Sequence, residues 1–322
     1  MTLRVVAFGG GHGLAASLRG LRLAATQLDL TVTAVVTVGD DGGSSGRLRA
    51  ERGALPPGDL RQALVALAAD DPLSIRTAEL LQHRYGPPAG GERDWLTGHA
   101  VGNLLLCGLI DRYGDPVAAL DHAGMLVRAA GRVLPMSRSP VAIEADVRGA
   151  DPSRPDDVVT VRGQHAVAVT RGQVTTVRIM PEAPPACAEA VAAVAAADWL
   201  VFGPGSWYTS VIPHLLVPQL AAAVVTSRAR RLVTLNLAVE PETAGLSLAD
   251  HLAALSWYLP SLHVDVVLAD EKAVGDPGPV LRTAESLGAR LALAPVAMPD
   301  GSSRHDPVAL AAALVSQLGT AP

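Results

Sequence analysis

Two adjacent acids, Asp40 and Asp41, leave an apolar run that ends at Val38 and lead straight into Gly42, Gly43, Ser44, Ser45, Gly46, Arg47, Leu48 and Arg49. Acids repel phosphate, whereas glycine amides, serine hydroxyls and arginines attract it. The combination therefore points to a ligand that carries both a polyol and phosphates. One carboxylate can accept from a ribose or sugar hydroxyl, or ligate Mg²⁺, so Asp41 is a candidate metal ligand and Mg²⁺ the one cofactor suggested. Ser44, Ser45 and Arg47 are the candidates for phosphate oxygens, with Arg49 as an alternative to Arg47. A solvated turn that caps the next helix is the competing reading.

Four further stretches carry related chemistry. Gly9, Gly10, Gly11, His12 and Gly13 follow a short apolar run and open a helical pattern. Glycines there let backbone N–H groups approach an anion at a helix N-terminus, so a phosphate cradle is expected. The loop is not a strict dinucleotide fingerprint, because Leu14 takes the last glycine position, and it lacks the Gly-Lys-Ser/Thr of a P-loop. After Pro56-Pro57-Gly58, Asp59 reads as a helix N-cap, and Arg61 in the first turn stands where the helix dipole disfavours a cation, which suggests an anion beside it. Gly98-His99 opens another helical stretch with Asn103 one turn on. His99 joins Asp40 and Asp41 as a catalytic candidate, in the role of general acid or base, against the alternative of a hydrogen-bonded buried histidine.

The last of the four, Gly203, Gly205, Ser206 and Thr209, repeats the strand–glycine–helix pattern and is a second candidate anion cradle. It contains no G-x-S-x-G, so a serine hydrolase is not indicated. Asn236 closes the next apolar run, where its amide can read a base or sugar edge. Near the C-terminus Asp306 reads as an N-cap with Pro307 at the first helical position. Arg304 and His305, just before it, are loop residues or ligand contacts.

The elements that must hold these loops are legible from periodicity. Arg4–Phe8 is a strand, Leu14, Leu18, Leu21 and Ala25 share a helical face, and the run from Leu30 to Val38 is a second strand. Strands that read as continuous apolar runs belong to a parallel sheet covered on both faces. "DWLVFG", "RLVTLNL", "VDVVLAD" and "RLALAPV" continue the rhythm, separated by helical stretches such as "LADHLAALSWYL" and "PVALAAALVSQL". Residues 132–182 have a different texture, short alternating strands joined by Gly, Pro and Asp turns, including "HAVAVTRGQVTTVRIM". The expected fold class is α/β: one domain over 1–322, a Rossmann-like, doubly wound, mainly parallel sheet with an antiparallel β insertion at 132–182.

The chain of 322 residues carries a formal net charge of -5, which gives no long-range attraction to nucleic acid or anionic membrane. No export signal and no bilayer-length apolar segment is visible, so a cytoplasmic protein without membrane insertion is expected. Cys107 and Cys187 suggest neither a disulfide framework nor a zinc cluster. A homodimer is the base-rate expectation.

Taken together and in order, "FGGGHGLAASLRGL", "VVTVGDDGGSSGRLR", "LPPGDLRQALVALA", "GHAVGNLLLCGL", "GRVLPM" and "GPGSWYTSVIPHLLVP" resemble the signature segments of the YvcK family, the gluconeogenesis factors of the CofD-like superfamily. The likeness is to the actinobacterial members, judged by Gly-Gly-Gly-His-Gly where others commonly have threonine in fourth place. The resemblance implies a CofD-like fold and a site for nucleotide sugars of the UDP-glucose or UDP-N-acetylglucosamine type. It also implies a regulatory role linked to gluconeogenic growth, carbon partitioning, cell-wall synthesis and cell shape, exercised through protein partners it does not name. Gly10, Gly11, Asp40, Asp41, Ser44 and Asn103 match the family pattern. His12 removes a hydroxyl from the cradle, and Pro307 follows Arg304-His305-Asp306 where a regulatory threonine can stand. The alternative is a Mg²⁺-dependent transferase of the 2-phospho-L-lactate transferase type, and a nicotinamide oxidoreductase is a third reading, suggested by the opening strand–helix–strand alone.

Overall fold

The computed structural model describes residues 2–151 and 153–319. Its opening strand β1 (Leu3–Gly9) pairs in parallel with β2 (Leu30–Val36), Leu3 opposite Leu30 and Gly9 opposite Val36, and the helix between them is α1 (Gly11–Ala24). Four helices in the next crossover, α2 (Gly43–Arg52), α3 (Pro57–Ala66), α4 (Pro72–Gln82) and α5 (Val101–Tyr113), are followed by α6 (Pro116–Leu126) and β3 (Gly131–Pro135). A separate antiparallel sheet then forms from β4 (Ala142–Arg148), β5 (Val158–Arg162) and β6 (Gln173–Met180), with a short helix α7 (Gln164–Ala168) between the last two.

The chain returns to the main sheet through α8 (Ala188–Ala196) and β7 (Trp199–Phe202). A π-helical turn, Trp207–Val211, runs into α9 (Ile212–Leu216), and α10 (Pro218–Thr226), β8 (Arg230–Thr234), α11 (Leu248–Tyr258), β9 (Val266–Asp270), α12 (Gly278–Ser286), β10 (Arg290–Ala294) and α13 (Pro307–Leu318) complete it. The seven strands lie in the order β10-β9-β8-β7-β1-β2-β3, every pair parallel. β7 and β9 are buried at every position, which is why they read as unbroken apolar runs instead of alternating ones. Phe8 and Phe202, on neighbouring strands, stack with ring centroids 4.8 Å apart. Among the described residues no single helix is long and apolar enough to cross a bilayer.

Two details of the segment from β3 to β6 differ from the expectation. Residues 132–135, expected inside the antiparallel insertion, belong to β3, which pairs parallel with β2 as the edge of the main sheet; the antiparallel sheet itself covers 142–180. The "HAVA" run, expected as a strand, is α7. Gly163 turns the chain with φ 100°, the His165 amide donates to Asp41, and Val167 buries, so tertiary contacts override the alternation.

The order of strands fixes where a ligand can bind. From β1 the chain steps to β2 and β3 on one side, while β7 adds on the other, so β1 and β7 flank a switch point. In open parallel sheets the loops that leave the carboxyl ends of two such strands diverge and leave a crevice.

Candidate functional site

That crevice is a cleft of about 920 Å³. The loops after β1 and β7, residues 236–241 after β8, α7 and the segment before α13 line it. The first two loops touch. A Cβ on Gly13 would stand 2.3 Å from the Pro204 carbonyl oxygen, so only glycine fits there. Asn236 clamps the second loop, its Oδ1 accepting from the Gly205 amide at 2.8 Å and its Nδ2 donating to the Gly205 carbonyl at 3.0 Å. The amide expected to read a base edge is therefore engaged with backbone, although the residue also lines the cleft. Gly10, Gly11, His12, Gly13, Gly205 and Ser206 line the cleft. Gly9 ends β1 and accepts from the Thr37 amide, and the Gly203 carbonyl accepts from Ser17 Oγ, so these two hold the floor.

No side chain caps the N-terminus of α1 at Gly10. Its first-turn N–H groups have no intrahelical acceptor, and the cleft lies directly in front of them. One is engaged: Asp59 accepts from the Gly11 amide and, at 3.2 Å, from Thr37 Oγ1. Asp59 is thus not the N-cap of α3, a position taken by Pro56. It lies buried inside the first turn and turns toward the glycine loop, so closely that a Cβ on Gly10 would meet its Oδ2 at 2.5 Å. Burial, reinforced by the charge of Asp40, pushes the Asp59 carboxyl up to about 7. Asp40 lines the cleft beside it and accepts from the Gly42 amide.

Asp41 takes no part in the lining. Its Oδ1 accepts from the His165 amide at 2.9 Å, tying the loop to α7. Among the described residues no group of three or more His, Cys, Asp or Glu is placed to hold a metal ion. Mg²⁺ commonly rests on one or two carboxylates plus ligand phosphates, and the carboxylates that line the cleft are Asp40, Asp59 and Glu240, not Asp41.

The remaining members of the acid–glycine–serine loop face inward. Ser44 Oγ lies 2.9 Å from His99 Nδ1 and accepts from Asn103 Nδ2 at 2.9 Å. That oxygen has a second lone pair as well as its own proton, so the tautomer of His99 sets which of the two donates. Burial and then the nearby Arg47 hold His99 below the ordinary histidine range, hence neutral. Ser45 Oγ accepts from the Gly58 amide, and Arg47 donates to the carbonyls of Trp95 and Thr97. Arg61 is buried, and desolvation together with Arg84 pushes it down to about 10. None of Ser44, Ser45, Arg47, Arg61, His99 or Asn103 lines the cleft. They lock α2 and α3 to α5, so the expected phosphate contacts and the expected general base are a brace behind the site.

The second loop also departs from expectation. Glu240 bonds to the Ser206 hydroxyl, and Glu242 accepts from the Tyr208 amide at 2.9 Å and bonds to Thr209. Burial first, then Glu240, pushes Glu242 up to about 7, and burial raises Glu240 as well. Two internal acids thus occupy the donors that were expected to cradle a phosphate. At the far rim, Arg304 lines the cleft and pairs with Asp300 at 3.1 Å. His305 lines it too, and burial pushes it down to about 4, so it is neutral. Asp306 caps α13 by accepting from the amides of Val308 and Ala309, as the sequence predicts.

Sequence reasoning missed Arg19, Glu240 and Gln164, which all line the cleft. A signal existed for Arg19: His12, Ala16 and Arg19 recur at i, i+4 and i+7, one face of a helix that starts at the glycines. Glu240 and Gln164 have no local signal, since distant segments bring them in.

The chain is similar over most of its length to known proteins. The model of the CofD family, described as 2-phospho-L-lactate transferase CofD, matches residues 5–285. A Mycobacterium tuberculosis protein named "Putative gluconeogenesis factor" is 50% identical over 318 residues, covering 98% of this chain and 90% of its own. The "Gluconeogenesis factor" of Bacillus subtilis is 34% identical over 274 residues, 85% of this chain and 80% of its own. A crystal structure of a Bacillus halodurans protein superposes with a TM-score of 0.83 at 32% identity, covering 98% of this chain and 99% of that one.

Proposed function

We propose that this chain, which belongs to the CofD family and within it to the gluconeogenesis factors, binds a nucleotide sugar of the UDP-glucose or UDP-N-acetylglucosamine type and acts as a cytoplasmic regulatory protein. The role would couple the level of that metabolite to gluconeogenic growth, carbon partitioning, cell-wall synthesis and cell shape through protein partners. One observation carries the reading: the N-terminus of α1, where Asp59 holds one amide and the N-cap residue Gly10 offers no side chain, opens with its glycine loop onto a cleft of about 920 Å³ at the switch point of a parallel sheet. Helix N-termini of this kind favour phosphate, and ligand pockets of roughly 300–1,000 Å³ suit a molecule of nucleotide-sugar size. Asp40, which lines the cleft, would accept from a sugar or ribose hydroxyl.

The second reading is a Mg²⁺-dependent transferase, favoured by one feature, the adjacent carboxyls of Asp40 and Asp59 on the cleft wall. A divalent ion there would share ligand phosphates with the two acids and supply charge to a departing phosphate. Calorimetric titration with UDP-N-acetylglucosamine, UDP-glucose, GDP and NAD, each with and without Mg²⁺, separates the readings. Micromolar, Mg²⁺-tolerant binding of the UDP-sugars without breakdown supports a sensor. Preference for GDP with Mg²⁺ supports the transferase, and absence of UDP-sugar binding ends the first reading.

A further inference from the structure

Arg19 stands on the outward face of α1, two turns beyond the glycine loop and on the line of His12 and Ala16, and it borders the cleft. It is half-buried and has no hydrogen-bond or ion-pair partner among the described residues. Two acids line the adjoining groove, Asp70, which is bound to Arg22, and Glu79, and neither pairs with Arg19. Desolvation, with Arg22 beside it, lowers the guanidinium from its ordinary range with no acid to offset the cost. A planar fork of donors held in this state, facing a cavity, lacks an anion.

We infer that Arg19 binds a second anionic group of the ligand, farther along α1 than the phosphate received by the glycine loop. The inference deepens the nucleotide-sugar reading and rests on it for the identity of the ligand. Helical rise puts the Arg19 Cα about 12 Å beyond Gly11, and helical side chains lean back toward the N-terminus, which brings the guanidinium over the cleft. Two ligand anions fit that reach: the outer phosphate of a diphosphate, or a carboxylate on the sugar of a nucleotide-linked uronic acid. The site is thus built for a nucleoside diphosphate compound in preference to a monophosphate. Arg304, the other arginine on the cleft, already pairs with Asp300, which leaves Arg19 as the unpaired guanidinium of the lining.

The test titrates the wild-type chain, Arg19→Gln and Arg19→Lys with UMP, UDP, UDP-glucose, UDP-glucuronate and inorganic pyrophosphate. A charged hydrogen-bonding partner lost from a half-buried site weakens binding by about 10- to 100-fold. If the outer phosphate is the anion, Arg19→Gln loses that factor on UDP, both UDP-sugars and pyrophosphate and leaves UMP within about twofold. If the carboxylate is the anion, the loss is confined to UDP-glucuronate. Arg19→Lys keeps the charge but not the fork, so it retains part of the affinity. The melting temperature of Arg19→Gln should not fall, because no internal contact is removed, and circular dichroism checks that the variant folds. Equal loss on UMP and UDP, or no loss on any probe, overturns the inference. Wild-type binding of pyrophosphate but of no uridine compound ends the nucleotide-sugar reading, while an Arg19→Gln loss on pyrophosphate then still upholds the role of Arg19. A wild-type chain that binds none of the probes overturns both.

Discussion

The two glycine loops at the carboxyl edge of the main sheet have the same signature, an apolar strand, glycines and then a helix, yet the structure gives them opposite roles. At Gly9–Gly13 one buried acid, Asp59, engages one amide, and the remaining first-turn donors of α1 face the cleft without a side-chain cap. At Gly203–Ser206 and the π-helical turn that follows, Glu240 and Glu242 take the hydroxyls of Ser206 and Thr209 and the Tyr208 amide. One loop leaves donors open to the cleft. The other has its donors answered from within, so its work is to wall the cleft and to hold the first loop in place. A glycine-rich turn is an anion site only where the protein does not fill it with its own acids.

The contact between the loops is where this comparison breaks most easily. Gly13→Ala should cause the largest effect, because its Cβ has no room against the Pro204 carbonyl. A loss of about 3 kcal/mol or more in urea denaturation, with ligand binding abolished, is the expected outcome; a stable variant that still binds would show that the loops do not need this approach.

The acids come next. Asp59 and Glu242 are both pushed up to about 7, from ordinary values of 3.8 and 4.5. In the unfolded chain they release their protons between about pH 4 and 5, whereas the fold retains them until about pH 7. The native state therefore binds more protons in that window, and stability falls as pH rises through it. Glu242→Gln keeps an acceptor for the Tyr208 amide but cannot ionise. Urea denaturation at pH 4.5 and 7.5 should show its pH-dependent loss smaller than that of the wild type by about 2 kcal/mol, and equal losses in the two proteins would remove the buried-acid account of the second loop.

A smaller change is expected at the clamp. Asn236→Ala removes both hydrogen bonds to Gly205, which should cost about 2 kcal/mol and weaken UDP-sugar binding several-fold through loss of loop position. The smallest effect on ligand belongs to the brace. Ser44→Ala should lower stability by about 1–2 kcal/mol, since His99 and Asn103 lose a buried partner, while affinity stays within about twofold. A tenfold loss of affinity at equal stability would put Ser44 in the site after all.

Much of the fold was legible. The parallel strands declare themselves because burial on both faces demands continuous apolar residues, and the ends of α13 because Asp306 and Pro307 act on their own neighbours. The antiparallel segment is legible in kind but not in extent: β3 looks like its neighbours until β2 claims it, and α7 alternates like a strand until Asp41 takes the His165 amide. In the site, the glycines were legible and their partners were not. Asp59 reads as a local cap but reaches back to Thr37, and the serines beside Asp40 read as phosphate ligands but meet His99 and Asn103.

The sequence by itself therefore determined what depends on near neighbours: which segments are strands, where helices start, and where glycine allows a backbone to turn or come close. Only the tertiary structure decided which of those turns remains open. The acids that engage or spare each loop come from separate segments, 22 residues apart for Thr37 and Asp59 and 34 for Tyr208 and Glu242. They meet because parallel crossovers return every loop to one edge of the sheet. Whether a donor there is answered by the chain or left for a ligand depends on burial and distance, which no local pattern of residues encodes.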